Sequence, residues 1–182
     1  MSRSYSTDAI VLKRANVGEA DRVVTLLSRS EGKLTCVAKG VRKLSSSQRA
    51  ALEPGNLVTV HLVKTKSLPI LTQTKLQADF AQAKQDLKGM KRLLGVLEFV
   101  DQLFPEGEED AELFAGVVSL MAKLSTTEFS LTDLQASLGD MLVNLGYQHP
   151  ADTKYASITE YVTAVAERPM RSFHFLTPSS SA

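Results

Sequence analysis

Residues 8–43 read DAIVLKRANVGEADRVVTLLSRSEGKLTCVAKGVRK, and this stretch decides the fold. Ile10 and Leu12 alternate with Val11 and Lys13 until Gly18 breaks the run. Residues 22–28 (RVVTLLS) are apolar and rich in β-branched side chains, which favour a pleated, half-buried surface. Ser30-Glu31-Gly32-Lys33 reads as a turn, and Leu34, Cys36 and Ala38 then share one face of a strand over 33–39. Beyond a polar interval, Pro54-Gly55-Asn56 marks another turn, and 57–63 (LVTVHLV) and 70–76 (ILTQTKL) complete five short strands. Five strands with no long helix between them predict a small closed or partly open β-barrel, because closure hides edges that an open sheet of this size would expose.

From Asp79 the apolar period changes from two to 3.6. Phe80, Leu87, Met90, Leu94, Leu97, Val100, Leu103 and Phe104 predict an amphipathic helix that ends before Pro105. The acidic run 106–110 (EGEED) places negative charge at the amino end of the next helix, where the macrodipole favours it. That helix carries Leu113, Phe114, Val117, Leu120, Met121 and Leu124. A third begins near Ser130, turns Leu134, Leu138, Met141, Leu142 and Leu145 inward, and stops at Gly146. A shorter helix over 158–167 precedes Pro169. The expected organisation is an α+β chain of two domains: a barrel over 1–78, a helical bundle over 79–176, and a frayed tail over 177–182.

The total charge conceals an asymmetry. Residues 1–80 hold 13 Lys and Arg against 6 Asp and Glu, a net +7, whereas residues 81–182 hold 8 against 14, a net −6. A basic half joined to an acidic half points to a polyanionic partner for the first. The densest basic stretch is Lys39-Gly40-Val41-Arg42-Lys43, followed by Ser45-Ser46-Ser47-Gln48-Arg49. Lys13, Arg14, Lys33, Lys64, Lys66 and Lys75 fall at the ends of neighbouring predicted strands, where a barrel would gather them around one mouth. One reading of 39–49 is a solvated surface loop. The other is a loop that tracks a phosphate backbone by displacing condensed counterions, with glycine and serine leaving it free to follow a flexible strand. Tyr5 is the only aromatic residue before Phe80, so backbone electrostatics would dominate base stacking, with weak sequence preference and strong salt sensitivity.

Other chemistry finds little support. His61, His149 and His174 are scattered, and none has a second ligand at metal spacing. There is no nucleophile elbow, phosphate loop or dinucleotide glycine fingerprint, so neither catalysis nor a cofactor is expected. Asp8, Glu19 and Asp21 read as turn formers or partners of Arg22. The single cysteine, Cys36, reads as a small buried hydrophobe. No stretch reaches the ~18 apolar residues of a membrane span, and the amino terminus has no apolar signal core, so a cytoplasmic protein is expected.

These residues resemble a known family. The ordered set Gly18-Glu19-Ala20-Asp21-Arg22, Glu31-Gly32-Lys33 and Lys39 to Lys43, with QRAALEPGNLVTV after it, resembles the amino-terminal oligonucleotide-binding (OB) barrel of the bacterial recombination mediator RecO. The segments LLGVLEFVDQLFPEGEEDAELFAGVVSLMAKL and LGDMLVNLGYQHP resemble its helical domain, so the likeness covers roughly residues 8–150. The resemblance implies a non-enzymatic, nucleoid-associated DNA repair protein that binds single- and double-stranded DNA and anneals complementary strands. It implies as partners the single-strand-binding protein SSB, through its acidic tail, the protein RecR, and functionally the recombinase RecA. The DNA role carries over to Lys39, Arg42 and Lys43, with Arg49 and Lys33 as neighbours; Lys13, Arg14, Lys64 and Lys66 complete the candidate set. Two alternatives stay open: an adaptor whose barrel binds an acidic protein, and a barrel that binds RNA.

One departure stands out. Many family members follow the Leu-Gly-Tyr segment with a four-cysteine zinc module, whereas residues 146–155 (GYQHPADTKY) contain no cysteine. Metal analysis of the purified protein is therefore expected to find well below one zinc per chain, and a stoichiometric equivalent would overturn this reading.

Overall fold

The computed structural model describes residues 4–43, 46–126, 128–166 and 168–172. The chain is α+β: β1 (Ser4–Val17), β2 (Asp21–Ser28), β3 (Gly32–Ala38), β4 (Leu57–Val63) and β5 (Ile70–Ala78) precede α1 (Leu87–Leu103), α2 (Ala111–Leu124), α3 (Leu131–Asn144) and α4 (Ile158–Ala166). It divides into two compact units. One takes in the chain up to Asp79 together with Pro105–Phe114; the other takes in Phe80–Phe104 and the chain from Ala115 onward. The expected tail, 177–182, lies outside the described residues.

In the first unit the sheet closes on itself in the order β1-β2-β3-β5-β4. Closure depends on the length of β1. Its first half, Ser4 to Ile10, pairs antiparallel with β4, and its second half, Ala9 to Val17, pairs antiparallel with β2. The register shifts between Val11 and Lys13. Such a bulge changes which face successive side chains occupy, and Ile10, Val11 and Leu12 are all buried, where simple alternation predicts an exposed residue among them. The bulge also binds the turn before β4: Val11 donates its N–H to the Asn56 carbonyl (2.9 Å) and accepts from Gly55 N–H (2.8 Å). β4 alternates cleanly, with Val58, Val60 and Leu62 inward. They join Val11, Val24, Leu26, Cys36 and Leu71 in one core, where each buried aliphatic side chain contributes about 1.5–3 kcal/mol. Burial pushes the Cys36 thiol up to about 12, so it stays a neutral small hydrophobe. The ring is completed by a short parallel contact, Val37 with Ile70 and Ala38 with Leu71.

The connection from β3 to β4 is not a free loop. Val41, Ala51 and Leu52 belong to the barrel core, and the buried Asn56 amide donates to the carbonyls of Ala50 and Ala51, both at 3.0 Å. Lys33 forms a parallel bridge with Glu106, and its carbonyl accepts from Gly107 N–H at 3.0 Å, so 105–114 lies beside the start of β3. This approach needs Gly32. Its φ is +63°, and a Cβ there would collide with the Glu108 carbonyl oxygen.

In the second unit, α1 is capped by Asp86, whose carboxylate accepts from Gly89 N–H (2.7 Å). Phe80 lies before this helix with a left-handed φ of 48°, and a 3-10 turn over Ala81–Lys84 separates the two. The buried stripe of α1 keeps Leu97, Val100 and Leu103 of the expected one and adds Leu93, Val96 and Phe99, while Leu87 (71% exposed) and Leu94 (38%) do not face inward. Helix α3 opens on a capping box: Ser130 Oγ accepts from Asp133 N–H, and Asp133 accepts from Ser130 N–H. Ser130 also donates its Oγ–H to Asp133 Oδ2 (2.6 Å), and this bond, followed by the one from Ser130 N–H, holds the Asp133 carboxyl below its ordinary range. Leu134, Leu138, Met141 and Leu142 are buried as expected, and Gly146 takes a φ of 87° after the helix.

Replacing Gly32 by alanine combines left-handed strain with a backbone collision and is expected to cost about 2–4 kcal/mol. Urea unfolding followed by circular dichroism reads this as a clearly lower midpoint; an unchanged midpoint would show that 105–114 does not hold this approach in solution.

Candidate nucleic-acid interface

The register Arg22↔Ala38 carries Asp21 alongside the end of β3, and this juxtaposition organises the basic stretch. Asp21 Oδ1 accepts from Gly40 N–H at 2.7 Å. Arg42 donates its backbone N–H to the Ala20 carbonyl (2.9 Å) and its Nη1 to the Gly18 carbonyl (3.0 Å). Gly40 adopts φ +65° and accepts from Lys43 N–H, which closes a turn on this frame. Residues 39–43 are thus pinned to the β1–β2 turn, where sequence reading expected a loop free to follow a strand. Lys39 and Lys43 are exposed, while Arg42 is half-buried because its guanidinium is committed to the turn.

A second cluster lies on β1, β2 and the residues before β4. Glu53 Oε2 accepts from Arg14 Nε (3.0 Å) and Nη2 (2.8 Å), while its Oε1 accepts from Arg22 Nη1 (3.3 Å). Arg22 also reaches Asn16 Oδ1 (3.3 Å) and the Arg49 carbonyl (3.4 Å). Its side chain is only 4% exposed. Burial, and then the Arg14 charge, pull its guanidinium down from the ordinary arginine range, with Glu53 opposing; an arginine nonetheless remains cationic. Gln48 ties the same connection to β5, donating to the Thr72 carbonyl (3.2 Å) and accepting from Thr74 Oγ1 (3.4 Å). Arg49, beside it, is exposed.

The remaining candidates separate. Lys13 is exposed on β1 opposite Thr25, and Lys66 is exposed between β4 and β5. Lys64 pairs with Glu31 (3.1 Å) and lies 4.9 Å above the Tyr5 ring. Burial and the Glu31 charge together push the Tyr5 phenol up. Lys33 is 8% exposed and is not presented to a large ligand; its strand position faces the 105–107 segment, a neighbour that no local pattern announces. Nor do the amino-terminal carboxylates pair with Arg22. Asp8 accepts from Thr59 Oγ1 (2.7 Å), Asp21 holds Gly40, and the partner of Arg22 is Glu53, thirty-one residues away. Arg22 and Glu53 are the residues that sequence reasoning missed; a basic residue within a β-branched run was the only available signal. His61 Nδ1 lies 2.9 Å from Ser6 Oγ, a hydrogen-bond partner on the neighbouring strand. Among the described residues, no three His, Cys, Asp or Glu side chains gather to hold a metal.

Residues 1–80 match the family model "Recombination protein O N terminal", which spans the five strands just described. The chain is 39% identical over 133 residues to the DNA repair protein RecO of Myxococcus xanthus, covering 72% of this chain and 54% of that protein. It is 35% identical over 128 residues to the RecO of Cutibacterium acnes, covering 68% and 52%. With the RecO of Geobacter sulfurreducens it shares 30% identity over 161 residues, covering 88% and 66%. The chain belongs to the RecO family. It spans about half the length of the first two of these curated relatives. Within this RecO-family chain, the match takes in every cation of the candidate set.

The two clusters differ in their structural dependence. Arg22→Ala removes a buried guanidinium that satisfies Asn16, the Arg49 carbonyl and Glu53, and is expected to cost about 2 kcal/mol, read as a lower urea midpoint. Lys39→Ala and Lys43→Ala should each stay within about 0.5 kcal/mol of the wild type. A large loss of stability in either lysine variant would mean that it, too, is part of the scaffold.

Proposed function

We propose that this chain is a non-enzymatic DNA repair and recombination mediator that holds the DNA backbone on the basic surface of an OB-type barrel. The observation that carries this reading is the pinned backbone of residues 39–43, which presents Lys39 and Lys43 to solvent beside Arg42, in the segment matched by the recombination-protein model; Arg49 is exposed further along the same connection. Pinned cations lose less conformational freedom on meeting a phosphate than cations on a mobile loop. Lys13, Lys64 and Lys66 extend the surface where the polymer reaches them. The only barrel aromatic, Tyr5, is already covered by Lys64, which supports backbone recognition over base stacking and hence weak sequence preference.

Binding of either single or double strands through the backbone would let such a surface bring complementary strands together, so annealing belongs to the same reading. Recombinase loading on SSB-coated DNA, with RecR and the SSB tail as partners and RecA as beneficiary, is the wider role that the family implies. The division at 78/79 between a DNA-binding and a helical domain, and a nucleoid location, complete the proposal. Among the described residues no helix is long and apolar enough to cross a membrane.

The test is a salt titration of binding to mixed-sequence single-stranded DNA. Affinity should fall steeply with salt, and Lys39→Ala/Lys43→Ala should flatten the log–log slope by roughly 1.4, about 0.7 for each phosphate no longer neutralised. Arg42 is left intact because its guanidinium also supports the turn. An unchanged slope would move the site elsewhere. Wild-type protein that ignores DNA but binds an acidic peptide would favour the adaptor reading, and a strong preference for RNA would favour the RNA-binding barrel.

A further inference from the structure

We infer that Glu53 is an internal competitor for phosphate at Arg14, so that DNA occupies this part of the surface only by displacing a carboxylate. The inference rests on the nucleic-acid reading above and concerns the regulation of that same site. A carboxylate and a phosphate offer a guanidinium the same kind of acceptor oxygens, and arginine pairs best when two parallel donors meet two oxygens. Here that arrangement is not achieved. Both Arg14 donors converge on the single oxygen Oε2, because Oε1 is drawn to Arg22. Arg14 is therefore held by half of a carboxylate, while a phosphate could offer it two oxygens.

Accessibility separates the two arginines. The side chains of Arg14 and Glu53 are 30% and 39% exposed, so a ligand can reach that pair, whereas Arg22 at 4% cannot leave its site. With about a third of each side chain in solvent and both donors on one oxygen, the pair is partly screened and open to exchange. When phosphate takes Arg14, Glu53 retains Arg22, which stays anchored on Asn16 and the Arg49 carbonyl. Two arginines thus share one carboxylate, and the local surplus of positive charge persists throughout. The effect of Glu53 is to lower affinity at one phosphate position and so to ease release of the strand.

The test compares the wild type with Glu53→Gln, Arg14→Ala and the double variant on the same single-stranded DNA, with Kd measured across salt. Glutamine keeps two polar termini beside Arg14 and Arg22 but removes the charge. Glu53→Gln should bind roughly threefold more tightly at low salt and steepen the slope by about 0.7, and adding Arg14→Ala should abolish both gains. The inference is overturned if Glu53→Gln matches the wild type, or if its gain survives in the double variant, which would reveal a bulk-charge effect. Should the amide variant melt early, Glu53→Ala repeats the comparison with the same two outcomes. A wild type that fails to bind DNA sinks the nucleic-acid reading itself; a wild type that binds, beside an inert Glu53→Gln, sinks this inference alone.

Discussion

The double pairing of β1 is the constraint from which the rest of the first unit follows. Ala9 and Ile10 are hydrogen-bonded strand members on both edges at once, to β2 on one side and β4 on the other. A strand paired on both sides leaves no edge at that point, and the sheet must curl to satisfy both partners. The bulge near Val11 lets one strand serve both neighbours by bending where its partner changes. It also captures the turn at Gly55 and Asn56, which fixes where β4 begins. The long connection from β3 to β4 therefore has two immovable ends, and it gains stability by sending Val41, Ala51 and Leu52 into the core between them.

That geometry explains why a strongly basic stretch can be rigid. Like charges in sequence repel, and a loop carrying them would ordinarily stay mobile. Here backbone groups do the anchoring: Gly40 on Asp21, Arg42 on Ala20, and the Asn56 amide on the carbonyls of Ala50 and Ala51. Lys39 and Lys43 are left to solvent, while the arginines divide between two tasks. Arg22 is buried and organises its neighbours; Arg42 supports a turn; Arg49 stays outside. The positive charge of the first eighty residues thus comprises a scaffold component and a presented one, and only the second is available to a polyanion.

Much of this was legible in the residues. Strands with one face buried announce themselves by alternation, as Val58, Val60 and Leu62 do, and the turn residues lie where the chain reverses. Helix α3 was legible from Ser130 to Gly146 because its cap, stripe and stop are all local. Helix α1 was less so. Leu87 and Leu94 fit the 3.6 period as well as Leu93 and Val96 do, and only the packing of the second unit chooses between two apolar stripes on one helix. Lys33 read as a presented cation, since nothing in its neighbourhood shows that residues some seventy positions later come to lie against it.

Local sequence was enough to establish the order of strands and helices, the charge division between the halves, and the membership of residues 39–49 in a basic stretch. These follow from periodicity, turn chemistry and composition, which neighbouring residues carry among themselves. Folding alone settled which of those cations face solvent, which are committed to the scaffold, and that Glu53 sits between Arg14 and Arg22. The physical reason is that charge pairing and burial depend on distance in space. Distance here is set by barrel closure, which brings together residues that the chain holds thirty to seventy positions apart.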